Sequence, residues 1–183
     1  AEPIKDLKSK FTLASPCEVD IIVKEETLPV GDVELKVVPL PGHSPAQIGL
    51  AYEDTLFCAD AFFPISVLDK HPIPYCTNID EALATLDAFI EGQMSYTYFV
   101  PGHGDALTDP REVALANKER LEEIRERVYE LLTEPREISH LVKALADGFK
   151  LDITNAALYY LCRTTIYAAL SSLESQGMAR ALL

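Results

Sequence analysis

The tripeptide Pro-Gly-His occurs twice in this chain, as Pro41-Gly42-His43 and Pro101-Gly102-His103, and each copy follows an apolar, strand-like run. Between them, Leu56-Phe57-Cys58-Ala59-Asp60 is a third apolar run that ends on a carboxylate. Three metal-competent side chains thus each stand just past the end of an expected buried strand. The ends of neighbouring strands in a layered α/β sheet lie close together even when far apart in sequence, and ligand or metal sites are built there. The chain has only four histidines, and no two of them are close enough to form a local ligand cluster.

The first part of the chain reads as strands with connecting helices. Residues 17–23 and 33–40 are rich in β-branched residues, with Gly31-Asp32 between them as a turn signal. Val33-Glu34-Leu35-Lys36-Val37 alternates strictly, so one face is buried and one is wet. Residues 47–52 and 55–58 flank Glu53-Asp54 as a tight hairpin, although this turn lacks the favoured Asn-Gly chemistry. Ala82, Leu83, Leu86 and Ile90 stand at helical spacing within 80–90, and 96–100 is a further strand leading into the second Pro-Gly-His.

From there the chain reads as helical. Asp109-Pro110-Arg111-Glu112 is a helix start with a capping Asp and Pro at the first helical position. Val113, Leu121, Ile124, Val128 and Leu131 form one apolar stripe on it. Pro135 opens another helix, with Ile138, Leu141, Val142 and Leu145 on its buried face and Gly148 as its cap. Two more helices are expected over 154–162 and 164–176, and 178–183 reads as a short strand.

Charge divides the chain at the same place. Residues 1–134 carry 11 basic and 25 acidic side chains, a net of −14, and residues 135–183 carry 5 and 4, a net of +1. The expected domains are therefore 1–134 and 135–183. The acidic body argues against non-specific nucleic-acid binding, which needs a basic field. No apolar run is long enough to span a bilayer, and the first residues have neither the basic flank nor the apolar stretch of a signal peptide. Cys17, Cys58, Cys76 and Cys162 fit no Cys-x-x-Cys pattern. They read mostly as buried free thiols in a reducing, cytoplasmic setting.

Zinc takes His nitrogen and carboxylate oxygen, and a catalytic site keeps one position open for water. His43, Asp60 and His103 are of the right type, and Gly42 and Gly102 would let the backbone turn sharply at each imidazole. On residue chemistry alone the alternatives stay open: either His can be a hydrogen-bonded loop residue, and Asp60 a turn or helix cap. Cys58 would share the side of Asp60 if one strand ran through both, and otherwise it is a small core residue. Tyr52, Tyr75, Tyr96 and Tyr98 are read as packing residues before cleft residues.

Three linked segments, residues 38–49 with Pro-Gly-His-Ser-Pro, 56–64 with Ala59-Asp60, and 100–104 with Pro-Gly-His-Gly, resemble the last three motifs of the metallo-β-lactamase superfamily, in its order. The resemblance implies an α/β fold, part of an αββα sandwich that holds two metals, zinc or iron, at one edge of its sheets. It would make His43 a ligand of the first metal, Asp60 the carboxylate bridging both, and His103 a ligand of the second. A metal-bound hydroxide would then attack an ester, thioester, lactam or phosphodiester of a small-molecule substrate. The chain departs from the family in two ways. Ala59-Asp60 stands where the family has Gly-Asp, a change expected to be mild because Ala is small. The upstream His-x-His-x-Asp-His motif, which supplies four ligands, is absent, since His71 and His140 are isolated. The expectation is a truncated C-terminal portion that binds metal weakly or not at all and is inactive alone.

Residues 163–180 resemble the recognition helix and wing entry of winged-helix domains. On the helix itself, 164–176 with Arg163 at its start, Arg163 and Gln176 are the only residues suited to reading bases, and they sit at opposite ends, so packing or dimerisation is expected before DNA binding. A homodimer through exposed apolar surface is a further expectation. The rival reading is a non-catalytic assembly or regulatory protein of the same fold, with a DNA-binding regulator ranked behind it.

Overall fold

The structure, a computed structural model, describes residues 16–24 and 26–181. Strands β1 (Thr27–Val30), β2 (Val33–Pro39), β3 (Ile48–Tyr52) and β4 (Thr55–Ala59) form an antiparallel meander, and β5 (Tyr98–Pro101) adds parallel to β4. The β4-to-β5 crossover carries α1 (Ile65–Lys70) and α2 (Ile79–Ile90). Helices α3 (Arg111–Glu130), α4 (Ile138–Gly148) and α5 (Ala156–Ser175) follow.

Register sorts the strand residues into two faces, because directly paired residues point to the same side. Ala51, Leu56 and Phe99 form one row, and this face is buried. Phe89 of α2 packs edge-on against Phe99 (5.9 Å) and against Phe62 (5.1 Å), which ties the helical layer to the sheet. Helices α2 and α3 pack together, α5 lies against both, and α4 rests on α3 and α5. Val37, Leu50, Phe57 and Val100 form the opposite row. That face is uncovered among the described residues, and Phe57 is 49% exposed.

Several expected elements stand where the pattern placed them. The hairpin of β3 and β4 turns at Glu53, whose φ of 51° supplies the left-handed residue that Gly or Asn more often provides. Helix α2 starts on Asn78, whose side chain accepts the Glu81 N–H at 3.2 Å. Other expectations are corrected. Residues 17–23 are not a strand: they run irregularly, and Ile22 is 73% exposed. β-branched residues favour a strand only where a pleated, half-buried surface receives them. The strand before the Gly31-Asp32 turn is instead β1, short and carrying Pro29 on the sheet edge, where a missing N–H is tolerated. Helix α1 had no clear sequence signal.

The expected pair of C-terminal helices is one continuous helix, α5, running through Arg163 without a turn. Residues 178–181 form no strand, and the rest of the expected 178–183 strand lies outside the described residues. The winged-helix likeness therefore gains no support from this arrangement. The buried side chains on both sides of Pro135 form one cluster, from Leu56 and Phe99 to Leu141, Ile166 and Leu173.

Phe89 is 1% exposed and joins the sheet, the β4–α1 loop and α2 through aromatic contacts. Phe89→Ala is expected to lower unfolding free energy by about 3–5 kcal/mol in denaturant titration. That is a large share of the stability of a domain this size.

Candidate metal centre

The site is built by three strand ends. β2 leads to Pro41-Gly42-His43, β4 to Ala59-Asp60, and β5 to Gly102-His103. At the end of β4 the parallel register to β5 slips between Phe57 and Ala59, and Ala59 has a φ of 48°. A bulge with a left-handed residue bends a strand and re-aims the side chain that follows. The strand therefore does not run through Cys58 and Asp60: Cys58 stays in the core while Asp60 turns to the rim. The left-handed conformation also corrects the expectation about Ala59. A non-glycine residue there costs roughly 1–2 kcal/mol whatever its size.

The carboxylate of Asp60 lies between the two imidazoles. His43 Nε2 is 3.6 Å from its Oδ2 and His103 Nε2 is 3.6 Å from its Oδ1. So the three candidate residues of the sequence converge, one imidazole on each oxygen. Gly102 is required for lack of room, because a Cβ there would overlap Asp60 Oδ1. Gly42 is required by conformation, with a φ of 131° and Ala82 of α2 pressed against its position. Its carbonyl accepts hydrogen bonds from the Thr77 N–H (2.9 Å), the Asn78 N–H (3.1 Å) and the Thr77 hydroxyl (3.1 Å), and the Thr85 hydroxyl donates to Pro41 O (2.8 Å). The first Pro-Gly-His is thus moored to the start of α2.

His43 has a defined tautomer. Its Nδ1 is 3.0 Å from the Tyr75 carbonyl, which only accepts, so Nδ1 carries a proton, and in the neutral ring Nε2 is the lone-pair nitrogen that faces Asp60. Burial lowers the pKa of His43 below the usual imidazole range, with the Asp60 charge opposing that shift. Burial raises the Cys58 thiol to about 12 and the Cys76 thiol to about 11, so both behave as inert core residues. Phe63, three residues beyond Asp60, sets its ring 5.6 Å from His43 and 5.8 Å from His103. Tyr75 packs edge-on against His43 at 5.1 Å, and Tyr96 packs on Phe99, whereas Tyr52 and Tyr98 are exposed.

Donors bound to one zinc ion at about 2.0–2.2 Å stand roughly 3–4 Å from one another. The 3.6 Å separations match that spacing and are too long for hydrogen bonds. The donor set therefore fits a metal in kind and spacing. In number it falls short: each imidazole pairs with its own carboxylate oxygen, and among the described residues no group of three His, Cys, Asp or Glu side chains is disposed around one ion.

Two buried polar residues stand behind these donors, and neither was among the sequence candidates. Asn117 of α3 accepts the Phe63 N–H (2.9 Å) and donates to Phe63 O (2.7 Å). The Thr165 hydroxyl of α5 donates to Pro74 O (2.7 Å) and accepts the Cys76 N–H (3.1 Å). For Asn117 a signal existed, an amide inside the buried stripe of Ala114, Leu121, Ile124 and Val128. Ala59→Gly is expected to raise stability by up to about 1 kcal/mol by relieving the left-handed alanine. In the same denaturation series Gly102→Ala should lower stability, because Asp60 must move away.

No protein-family model matches the chain, and no curated protein matches its sequence. Solved structures do match its fold. A metallo-beta-lactamase family protein of Thermus thermophilus superposes with a TM-score of 0.66 at 20% identity, over 88% of this chain and 51% of that one. A beta-lactamase domain protein of Burkholderia ambifaria gives 0.67 at 17% identity, over 90% and 49%. The chain thus spans about half the length of the structures it matches. Over that span, this chain has the fold of the metallo-β-lactamase proteins.

Proposed function

We propose that His43, Asp60 and His103 are this chain's share of a divalent-metal site of a metallo-hydrolase, with Asp60 bridging two metal positions. The observation that supports this best is the geometry at Asp60. Two imidazole nitrogens face opposite oxygens of one carboxylate at 3.6 Å, a gap too wide for a hydrogen bond. A cation between each nitrogen and oxygen satisfies both. The Tyr75 carbonyl on His43 Nδ1 is the backing partner that metal-bound imidazoles have, fixing the ring with Nε2 free.

When bound, such a metal supplies an activated water and polarises the bond to be cleaved in an ester, thioester, lactam or phosphodiester. Zinc and iron both accept this donor set. The chain's own residues do simpler things. His43 and Asp60 present lone pairs on fixed supports, Gly102 leaves room for the carboxylate, and the Phe63 and Tyr75 rings wall the imidazoles. Two donors per metal position are fewer than the three protein ligands of a catalytic zinc. The chain alone is therefore proposed to bind metal weakly and not to hydrolyse. A DNA-reading role for α5 has less support, because Arg163 is engaged by Tyr167 (3.3 Å to its hydroxyl) and Gln176 by Ser172 (3.2 Å).

Zinc titration by calorimetry is the test, with elemental analysis after dialysis against chelator-free buffer. Wild type should bind zinc weakly, and Asp60→Asn should abolish binding while His43→Ala and His103→Ala each reduce it. A wild-type chain that binds no zinc at millimolar concentration, or variants that bind as well as wild type, contradict the proposal.

A further inference from the structure

Both imidazoles are oriented by loops, and both loops are held by the helices that follow β5. His43 takes its ring direction from the Tyr75 carbonyl. Tyr75 lies in the irregular 71–78 segment, where no strand or helix ladder fixes a carbonyl. The flanking backbone groups, Pro74 C=O and Cys76 N–H, both bond the same hydroxyl, that of Thr165. Thr165 is 0% exposed and stands mid-helix in α5, 89 residues beyond Cys76 in sequence. A buried hydroxyl that donates to the Pro74–Tyr75 peptide and accepts from the next, Tyr75–Cys76, fixes the orientation of the latter, whose other end is the Tyr75 carbonyl.

The second loop has the same design. Phe63 lies between β4 and α1 and precedes Pro64, which already restricts it to extended backbone. Asn117, 4% exposed, uses its carboxamide as a strand neighbour would, accepting the Phe63 N–H and donating to its C=O, with a third bond to Val113 O at 2.8 Å. So held, the Phe63 ring meets His43 on one side and His103 on the other.

We propose that α3 and α5 position the two imidazoles, Thr165 by holding the Tyr75 carbonyl on His43 and Asn117 by holding Phe63 between His43 and His103. Both are positioning residues, since neither touches the Asp60 cluster itself. This gives the helices after β5 a function beyond burial: the tail carries the support of a site whose donors all lie before residue 104. Its consequence for metal affinity rests on the metal-site reading above, and its consequence for ring orientation does not.

The test is long-range 1H–15N correlation of the imidazoles in the full, metal-free chain at fixed pH, followed by zinc titration. Wild-type His43 should occupy the single Nδ1–H form. Thr165→Val, which keeps the shape and removes the hydroxyl, should give a mixture of both tautomers, and Thr165→Ser should restore the single form. Asn117→Leu should shift or broaden the signals of both His43 and His103. If that variant fails to fold, Phe63→Leu, which keeps the backbone bonds, should leave both rings more mobile by 15N and 13C relaxation. In the metal arm, Thr165→Val should bind zinc roughly tenfold more weakly than wild type, as loss of a backing partner does. A single His43 tautomer that persists in Thr165→Val while stability falls overturns the role of Thr165 and leaves it merely structural. Unmoved imidazole signals in Asn117→Leu, or rings as rigid in Phe63→Leu as in wild type, overturn the role of Asn117 and Phe63. A wild-type chain that takes up no zinc overturns the metal-site reading instead, and the tautomer result then decides the positioning alone.

Discussion

The carboxylate of Asp60 faces an imidazole on each of its oxygens, and the features around it follow from bringing those groups together. Three chain segments must end at one sheet edge, which the β3–β4 hairpin and the parallel addition of β5 to β4 achieve. The carboxylate must leave the core face of β4, which the bulge at Ala59 achieves at the expense of a left-handed alanine. The second Pro-Gly-His must pass within contact of the carboxylate, which only a residue without a side chain at 102 allows. Local strain and an absent Cβ at the same point mark a place where geometry, and not stability, governs the residue.

The loops that hold the donors make few hydrogen bonds of their own kind, so their polar backbone must be satisfied from elsewhere. Side chains do this, most of them on helices. Thr77 and Thr85 moor the first Pro-Gly-His, Thr165 moors 74–76, Asn117 moors Phe63, and the Arg120 guanidinium bonds Leu68 O and Pro72 O. Each such bond is worth only about 0.5–1.5 kcal/mol net. Losing one strands a buried partner, which makes these residues more sensitive than their number suggests. The helical layer is thus both the core that covers one sheet face and the frame that keeps the rim in place. The other face, with Phe57, has no cover among the described residues.

Much of this was legible in the sequence, for physical reasons. Proline and glycine punctuate strand ends, so the two Pro-Gly-His copies located His43 and His103, and the apolar run before Asp60 located the third donor. The helical spacing of Ala82, Leu83, Leu86 and Ile90 placed α2 in the same way. What stayed hidden depends on distant partners. Residues 17–23 have strand-like chemistry without a sheet edge to receive them, while β1, with Pro29, has weak chemistry and a partner. Residues 154–162 and 164–176 read as two helices, yet α5 runs through Arg163 without a break. Thr165 and Asn117 serve backbone groups 89 and 54 residues away, a relation no local pattern records. Ala59 was judged by size when its backbone angle was what mattered.

The central claim is that a cation belongs between Asp60 and the two imidazoles. Crystals of the wild-type chain soaked in zinc, measured across the zinc absorption edge, test it most directly. The account predicts anomalous density between Asp60 and at least one of His43 Nε2 and His103 Nε2, with His43 Nδ1 still on the Tyr75 carbonyl. No anomalous density there, with the nitrogens closed onto the carboxylate to hydrogen-bond distance of about 3 Å, would contradict it and make the cluster a protonated His–Asp network.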